Sequence, residues 1–282
     1  MKKRNVTAIA LAMTLALAGC SSSSGNGQSG DDATQTAGSA EETVELSVFA
    51  AASMQETLEQ IVEEYKDVDP SVEITLNLDS SGTLKTQIEE GADCDLFISA
   101  AQLQMDQLDA AADESVNTDG LDFVDSDSRV DLLENKVVLV VPEGNPKDIQ
   151  SFEEIAEKAD LVALGNDDVP VGQYSKEILN NLGVMDKLEA ESKITYGSNV
   201  KEVTTQVAEG TVDCGIVYET DAFSAGLDSV DAAEEDLCSP AIYPAAVMKN
   251  SANPDKAQAF LDYLKTDDAG AIFEGVGFRT LS

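Results

Sequence analysis

From Val44 onward the chain carries two hydrophobic rhythms in turn. Val44-Glu45-Leu46-Ser47-Val48-Phe49 alternates in twos, as a strand with one buried face does, and Met54, Leu58, Ile61, Val62 and Tyr65 then recur at helical spacing. The exchange continues with a strand over 72–76, a helix over about 82–90, a strand over 95–98 and a helix over 102–112. Residues 113–129 are polar and irregular. A second block opens on the unbroken apolar run Val137-Val138-Leu139-Val140-Val141, closed by Pro142. It predicts helices over 151–158, 171–182 and 200–210, strands over 161–164 and 215–218, and an acidic loop over 229–237. A strand over 241–248 and helices over 254–264 and 267–273 finish the chain. Strands alternating with helices in this order predict an α/β protein with a mainly parallel sheet covered on both faces.

The residues before Val44 follow neither rhythm. Met1-Lys2-Lys3-Arg4 is basic and residues 6–18 form an apolar run of 13, too short for a bilayer that needs roughly 20. The run closes on Leu17-Ala18-Gly19-Cys20, which resembles the lipobox of exported bacterial lipoproteins. That resemblance implies a signal peptide over 1–19, cleavage before Cys20 and a diacylglycerol on its thiol. Residues 21–42 are Ser/Gly-rich, then polar, with no large apolar side chain. Such a segment cannot offset its chain entropy by burial, so 20–42 reads as a lipidated cysteine and a disordered tether spanning roughly 25 Å.

The body that remains, 240 residues of the 282, suffices for one large or two medium α/β domains. With 17 basic and 54 acidic residues the formal charge is −37, and loss of Lys2, Lys3 and Arg4 makes it −40. No basic stripe exists to displace counterions from a phosphate backbone, so the sequence argues against nucleic-acid binding. The acids are scattered rather than set in an Asp-x-Asp-x-Asp-Gly loop, which argues for a solvated surface over a cation site. Histidine is absent, removing the commonest general base and transition-metal ligand. Cys94, Cys214 and Cys238 lack zinc-site spacing and read as three buried free thiols, although a disulfide between two of them is chemically allowed.

Candidate chemistry lies at helix starts. Phe49-Ala50-Ala51-Ala52-Ser53-Met54, Asp79-Ser80-Ser81-Gly82-Thr83-Leu84, Val169-Pro170-Val171-Gly172-Gln173-Tyr174 and Gly197-Ser198-Asn199-Val200 each pass from a strand end through small or hydroxyl residues into a first helical turn. First-turn N–H groups lack intrahelical partners and the macrodipole is positive there, so these ends favour anions. Singly, each motif is an ordinary N-cap. Together, beyond the carboxyl ends of strands in an open α/β sheet, they would surround one ligand.

Residues 46–53, Ser80-Ser81-Gly82-Thr83-Leu84, Asp95-Leu96-Phe97-Ile98-Ser99-Ala100, Gly215-Ile216-Val217-Tyr218 and Phe260-Leu261-Asp262-Tyr263-Leu264-Lys265 closely resemble the periplasmic molybdate-binding proteins of ABC importers. The resemblance runs from about Val44 to Phe278. It implies the type II periplasmic-binding fold, two α/β domains joined by two crossovers around a ligand cleft: 43–134 plus 239–282 as domain one, 135–238 as domain two. It further implies a non-enzymatic monomer that captures molybdate and tungstate at the outer face of the cell membrane, held by lipid on Cys20 and serving a permease and its ATPase, without a cofactor or a cation site. Matched residue by residue, Ser53 and Ser81 would supply hydroxyl and backbone donors, Val171 and Val200 backbone N–H groups, and Tyr218 its phenol. Val171 departs from the family, where alanine usually follows that proline; the backbone donor survives, with a bulkier wall beside it.

A fully ionised tetrahedral dianion has many lone pairs and no proton. Neutral donors satisfy those lone pairs at roughly 1.5–3 kcal/mol each, and a donor-only site leaves the O–H of a protonated oxyanion without an acceptor. Preference for molybdate over sulfate rests on the resemblance alone. Rival readings are a binding protein for sulfate or another oxyanion, a tethered sensor or adhesin, and an exported serine enzyme. The last draws on Ser198-Asn199-Val200-Lys201, a Ser-x-x-Lys match, but the accompanying Lys-Thr-Gly is missing, since Asp267 follows Lys265-Thr266.

Overall fold

The computed structural model describes residues 43–281; the signal peptide, Cys20 and the tether expected before them lie outside the described residues. β1 (Val44–Ala51) begins with one face buried and ends buried on both, and a 3-10 turn over Ala52–Met54 leads it into α1 (Gln55–Val68). Thr57, Leu58, Ile61 and Tyr65 turn inward from α1. β2 (Val72–Asp79), α2 (Ser81–Glu89) and β3 (Leu96–Ile98) follow. α3 (Gln102–Asp106) is shorter than the helix expected over 102–112, because the chain breaks into turns around Asp109, whose carboxylate accepts from Ala111 N–H, Ser126 Oγ and Arg129 Nη1. β4 (Val130–Asn135) and β5 (Val137–Val141) are separated by Lys136 alone.

Next come α4 (Ile155–Lys158), β6 (Val162–Gly165), α5 (Pro170–Asn181), α6 (Met185–Ala190), β7 (Ile194–Gly197), α7 (Val200–Ala208), β8 (Cys214–Tyr218) and α8 (Glu219–Ala225). The acidic segment expected as a loop over 229–237 instead begins with a strand, β9 (Asp228–Ala232), paired to β5. It lies at a sheet edge, where polar side chains keep one face in water. β10 (Ala241–Val247), α9 (Pro254–Leu264), α10 (Asp267–Gly275) and β11 (Arg279–Thr280) complete the order.

The described strands make two mixed sheets, β11-β4-β10-β3-β1-β2 and β7-β6-β8-β5-β9. In the first, β1 runs parallel to β2 and β3, and β10 lies antiparallel between β3 and β4. In the second, β6 is parallel to β7 and β8, and β5 is antiparallel to β8. Each sheet with its helices forms a lobe. The chain passes from one sheet to the other at Lys136 and returns between β9 and β10. β5 is buried along its whole length, which explains its unbroken apolar run. Cys94, Cys214 and Cys238 are buried free thiols, and burial pushes Cys214 up to about 12 and Cys238 up to about 11, so neither is a ready nucleophile or metal ligand.

Candidate oxyanion site

The carboxyl ends of the parallel strands face one another across the lobes. Ser53 follows β1, Ser81 follows β2, Ala100 follows β3, Val171 follows β6, Val200 follows β7 and Tyr218 ends β8. All of them line one small cavity of about 10 Å³ together with Ala51, Ala52, Asp79, Ser80, Val169 and Pro170, the room of roughly one water molecule. The five residues singled out by motif therefore share one wall. Larger depressions, about 110 Å³ beside Cys94 and Met248 and about 270 Å³ beside Lys136, do not gather helix starts in this way.

Caps leave defined donors over. In α2, Thr83 N–H donates to Ser80 Oγ, Leu84 N–H to the Ser80 carbonyl and Gly82 N–H to the Asp168 carbonyl; the Ser81 N–H is the one remaining in that turn. In α5, Pro170 has no N–H, and Gly172 and Gln173 both donate to the Val169 carbonyl, which leaves Val171. In α7, Asn199 Oδ1 takes Glu202 N–H, which leaves Val200 and Lys201. These are the first-turn amides that helix geometry cannot satisfy.

The hydroxyls are equally directed. Ser81 Oγ accepts from Ala100 N–H at 2.9 Å, so its own proton is free to point elsewhere. Ser53 Oγ lies 2.9 Å from Tyr243 Oη. Tyr218 Oη is 3.4 Å from the Ala100 carbonyl, and burial followed by the neighbouring phenol of Tyr243 pushes its ionisation well above the ordinary tyrosine range, so it stays a donor. Among the described residues, none lining the cavity is basic. The nearby lysines are occupied: Lys85 pairs with Glu89 at 2.8 Å, and Lys201 with Glu56 at 2.8 Å and Asp221 at 3.3 Å. Asp79 is the one carboxylate on the wall, and it accepts from Ser80 N–H and from Asn199 Nδ2.

Several of these contacts join the lobes. Gly82 N–H to Asp168 carbonyl is 3.1 Å, Asn199 to Asp79 is 3.4 Å, and the Glu56–Lys201 pair closes the rim. Asp221 sits behind that pair with both carboxylate oxygens buried and without a hydrogen bond; the Lys201 ammonium is within ion-pair reach but not aligned. Burial pushes its carboxyl up to about 7 against the opposing pull of Lys201. Sequence reasoning missed Tyr243, Asn135, Ala100 and Asp168, whose roles arise from pairings remote in the chain. Ser198, the nucleophile of the enzyme alternative, is exposed, and the lysine three positions on is engaged by two carboxylates.

In sequence and fold the chain is similar to known proteins. The family of bacterial extracellular solute-binding proteins is matched over residues 46–279. YvgL of Bacillus subtilis, described as a candidate ABC transporter substrate-binding lipoprotein, is 37% identical over 279 residues, covering 98% of each chain. The molybdate-binding protein ModA of Haemophilus influenzae is 33% identical over 242 residues, 84% of this chain and 90% of its own. Among solved structures, the periplasmic molybdate-binding protein of Azotobacter vinelandii superposes with a TM-score of 0.72 at 25% identity, covering 84% of this chain and all of the other.

Proposed function

The chain belongs to the bacterial extracellular solute-binding proteins, and on that premise we propose that it captures molybdate, and tungstate with it, for an ABC importer. The observation that carries this reading is the convergence of Ser53, Ser81, Val171, Val200 and Tyr218 on one cavity whose donors are all neutral. With the lobes eased apart enough to widen the cavity beyond its present room for one water, a tetrahedral dianion there would accept from two serine hydroxyls, a phenol and the amides of three helix starts. Charge-assisted bonds of this kind contribute roughly 1.5–3 kcal/mol each, which holds an anion despite a strongly acidic protein surface.

In this reading the lobes are the domains 43–134 plus 239–282 and 135–238, closing about Lys136 and the return segment before β10. The lipobox-like run ending at Cys20 supports a diacylglycerol on that thiol, with a monomeric binding body held outside the cell membrane beside a permease and its ATPase. The engaged lysine beside Ser198 favours capture over catalysis. Titration calorimetry of the purified protein with sodium molybdate, tungstate and sulfate tests the proposal. One-to-one binding of the first two, with sulfate much weaker, is expected. Sulfate binding as tightly as molybdate would overturn the assigned specificity.

A further inference from the structure

The Ser53 hydroxyl has a neighbour whose orientation can be worked out from the hydrogen bonds behind it. Asn135, at the end of β4, accepts the Lys136 backbone N–H on Oδ1 at 2.9 Å. A backbone N–H can only donate, so this bond fixes which end of the amide is oxygen. Asn135 Nδ2 then donates to Thr220 Oγ1 at 2.8 Å and to Tyr243 Oη at 3.2 Å. The Tyr243 oxygen, having accepted, still carries a proton, and Ser53 Oγ at 2.9 Å is the hydroxyl placed closest to take it. With the Tyr243 proton directed at Ser53 Oγ, the serine's own proton faces the cavity.

We propose that Tyr243 and Asn135 are positioning residues that polarise Ser53 into an obligate hydrogen-bond donor, and so set the site's selectivity for fully deprotonated oxyanions. The inference rests on the reading of Ser53 as a ligand-binding residue. All four members of the relay are buried: Ser53, Asn135, Thr220 and Tyr243 are at most 5% exposed, so water does not scramble the sense of the bonds. Burial, followed by the charge of Asp221, keeps the Tyr243 phenol protonated far above neutrality. A register shift in β10 falls between Tyr243 and Pro244, the kind of bulge that re-aims a side chain. The ring is held edge-to-face by Tyr218 at 5.7 Å and Phe278 at 5.3 Å, contacts that phenylalanine would keep.

The relay also begins at the only residue between β4 and β5, Lys136, and touches Thr220, two residues beyond Tyr218. Ser81 reaches the same donor state by a shorter route, through Ala100 N–H. Both serines thus keep their protons for the anion and have one acceptor lone pair already used, so a hydrogen phosphate or other protonated anion would find fewer acceptors there than a dianion finds donors.

The test is a double-mutant cycle with Ser53→Ala, Tyr243→Phe and the pair, read by calorimetry with sodium molybdate at pH 7 and by the phosphate concentration needed to displace it. Tyr243→Phe is expected to weaken molybdate about tenfold, to make phosphate a relatively better competitor, and to cost nothing further when Ser53 is already alanine. A loss of the same size in both backgrounds would mean that Tyr243 merely supports the fold, and would overturn the relay. So would an unchanged Kd in Tyr243→Phe when Ser53→Ala weakens binding. An unchanged Kd in Ser53→Ala would instead remove the site reading on which the relay rests. Should Tyr243→Phe fail to fold, Asn135→Asp replaces the donor facing Tyr243 with an acceptor and is expected to shift the molybdate-to-phosphate preference in the same direction; an unchanged preference overturns the relay.

Discussion

Replacing Gly82 by alanine separates lobe closure from folding. A Cβ at this position would stand 2.2 Å from the carbonyl oxygen of Asp168 and 2.9 Å from its carbonyl carbon. The obstacle is backbone, so no rotamer change relieves it, and ordinary contact begins near 3.4 Å; the two segments must part by about 1.2 Å. Gly82 is in the first turn of α2 and Asp168 precedes α5, so the parting opens the cleft between lobes. Val171, three residues beyond Asp168, would be carried with it. A hydrogen bond near 2.9 Å lengthened by an ångström is no longer one. Losing one charge-assisted bond costs roughly 1.5–3 kcal/mol, about ten- to a hundredfold in Kd. Parting the segments also breaks the Gly82 N–H bond to the Asp168 carbonyl, 3.1 Å here, at roughly 0.5–1.5 kcal/mol. Alanine's better helix propensity, at most about 1 kcal/mol, offsets much of that, so the unliganded protein should melt close to the wild type. Calorimetry with sodium molybdate and unliganded thermal melts measure the two effects separately. An unchanged Kd, or a melting temperature lowered by several degrees, would refute the reasoning.

Four further outcomes are expected. Ser53→Ala and Ser81→Ala should each cost roughly 1.5–3 kcal/mol of molybdate binding with little change in urea stability; unaltered titration curves would exclude them from the site. Asp221 has a folded pKa of about 7 against an ordinary 3.8, so the native state holds its proton longer and stability should fall as pH rises between those values. Asp221→Asn should therefore gain on the wild type by roughly 2 kcal/mol between pH 5 and pH 8 in urea titrations, and a pH-independent difference would mean that Lys201 keeps the carboxylate ionised throughout. Because the net charge is strongly negative and both nearby lysines are engaged, added sodium chloride should raise the association rate for molybdate in stopped-flow mixing while dissociation changes little; a steep fall with salt would reveal an unscreened positive field. Cys20→Ala should release the protein from membranes at unchanged affinity, and membrane retention in fractionation would refute the lipobox.

The elements legible in the sequence are those with a strong local signal. β5 is an unbroken valine-leucine run, α9 opens on Pro254 and carries Ala257, Phe260, Leu261 and Leu264 inward, and both lie where the pattern puts them. β4, with Asp131 and Glu134 inside it, and β9, with Asp228 and Asp231, are polar because they meet water on one side, and only their pairing partners make them strands. α6 and α8 are too short for periodicity to register. The same division holds at the cavity. Helix-start motifs are local, so the segments around Ser53, Ser81, Val171 and Val200 stand out in the sequence and the family resemblance picks the residues within them, whereas Tyr243 reaches Ser53 across a separation of 190 residues. No spacing rule links such a pair.

The position of β10 has a consequence for how the protein is made. It fills the gap between β3 and β4, yet it leaves the ribosome after every strand of the second sheet. Until Ala241 is available, β3 and β4 have no common neighbour, and half of the first sheet is an open edge. The second sheet needs nothing beyond Ala232 and can assemble while the first waits. Closing a loop of more than a hundred residues between β4 and β10 is entropically slow to begin. The first lobe, which holds both serines, should therefore be the later of the two to fold, and a truncation before Ala241 should leave a folded second lobe attached to an aggregation-prone half-sheet.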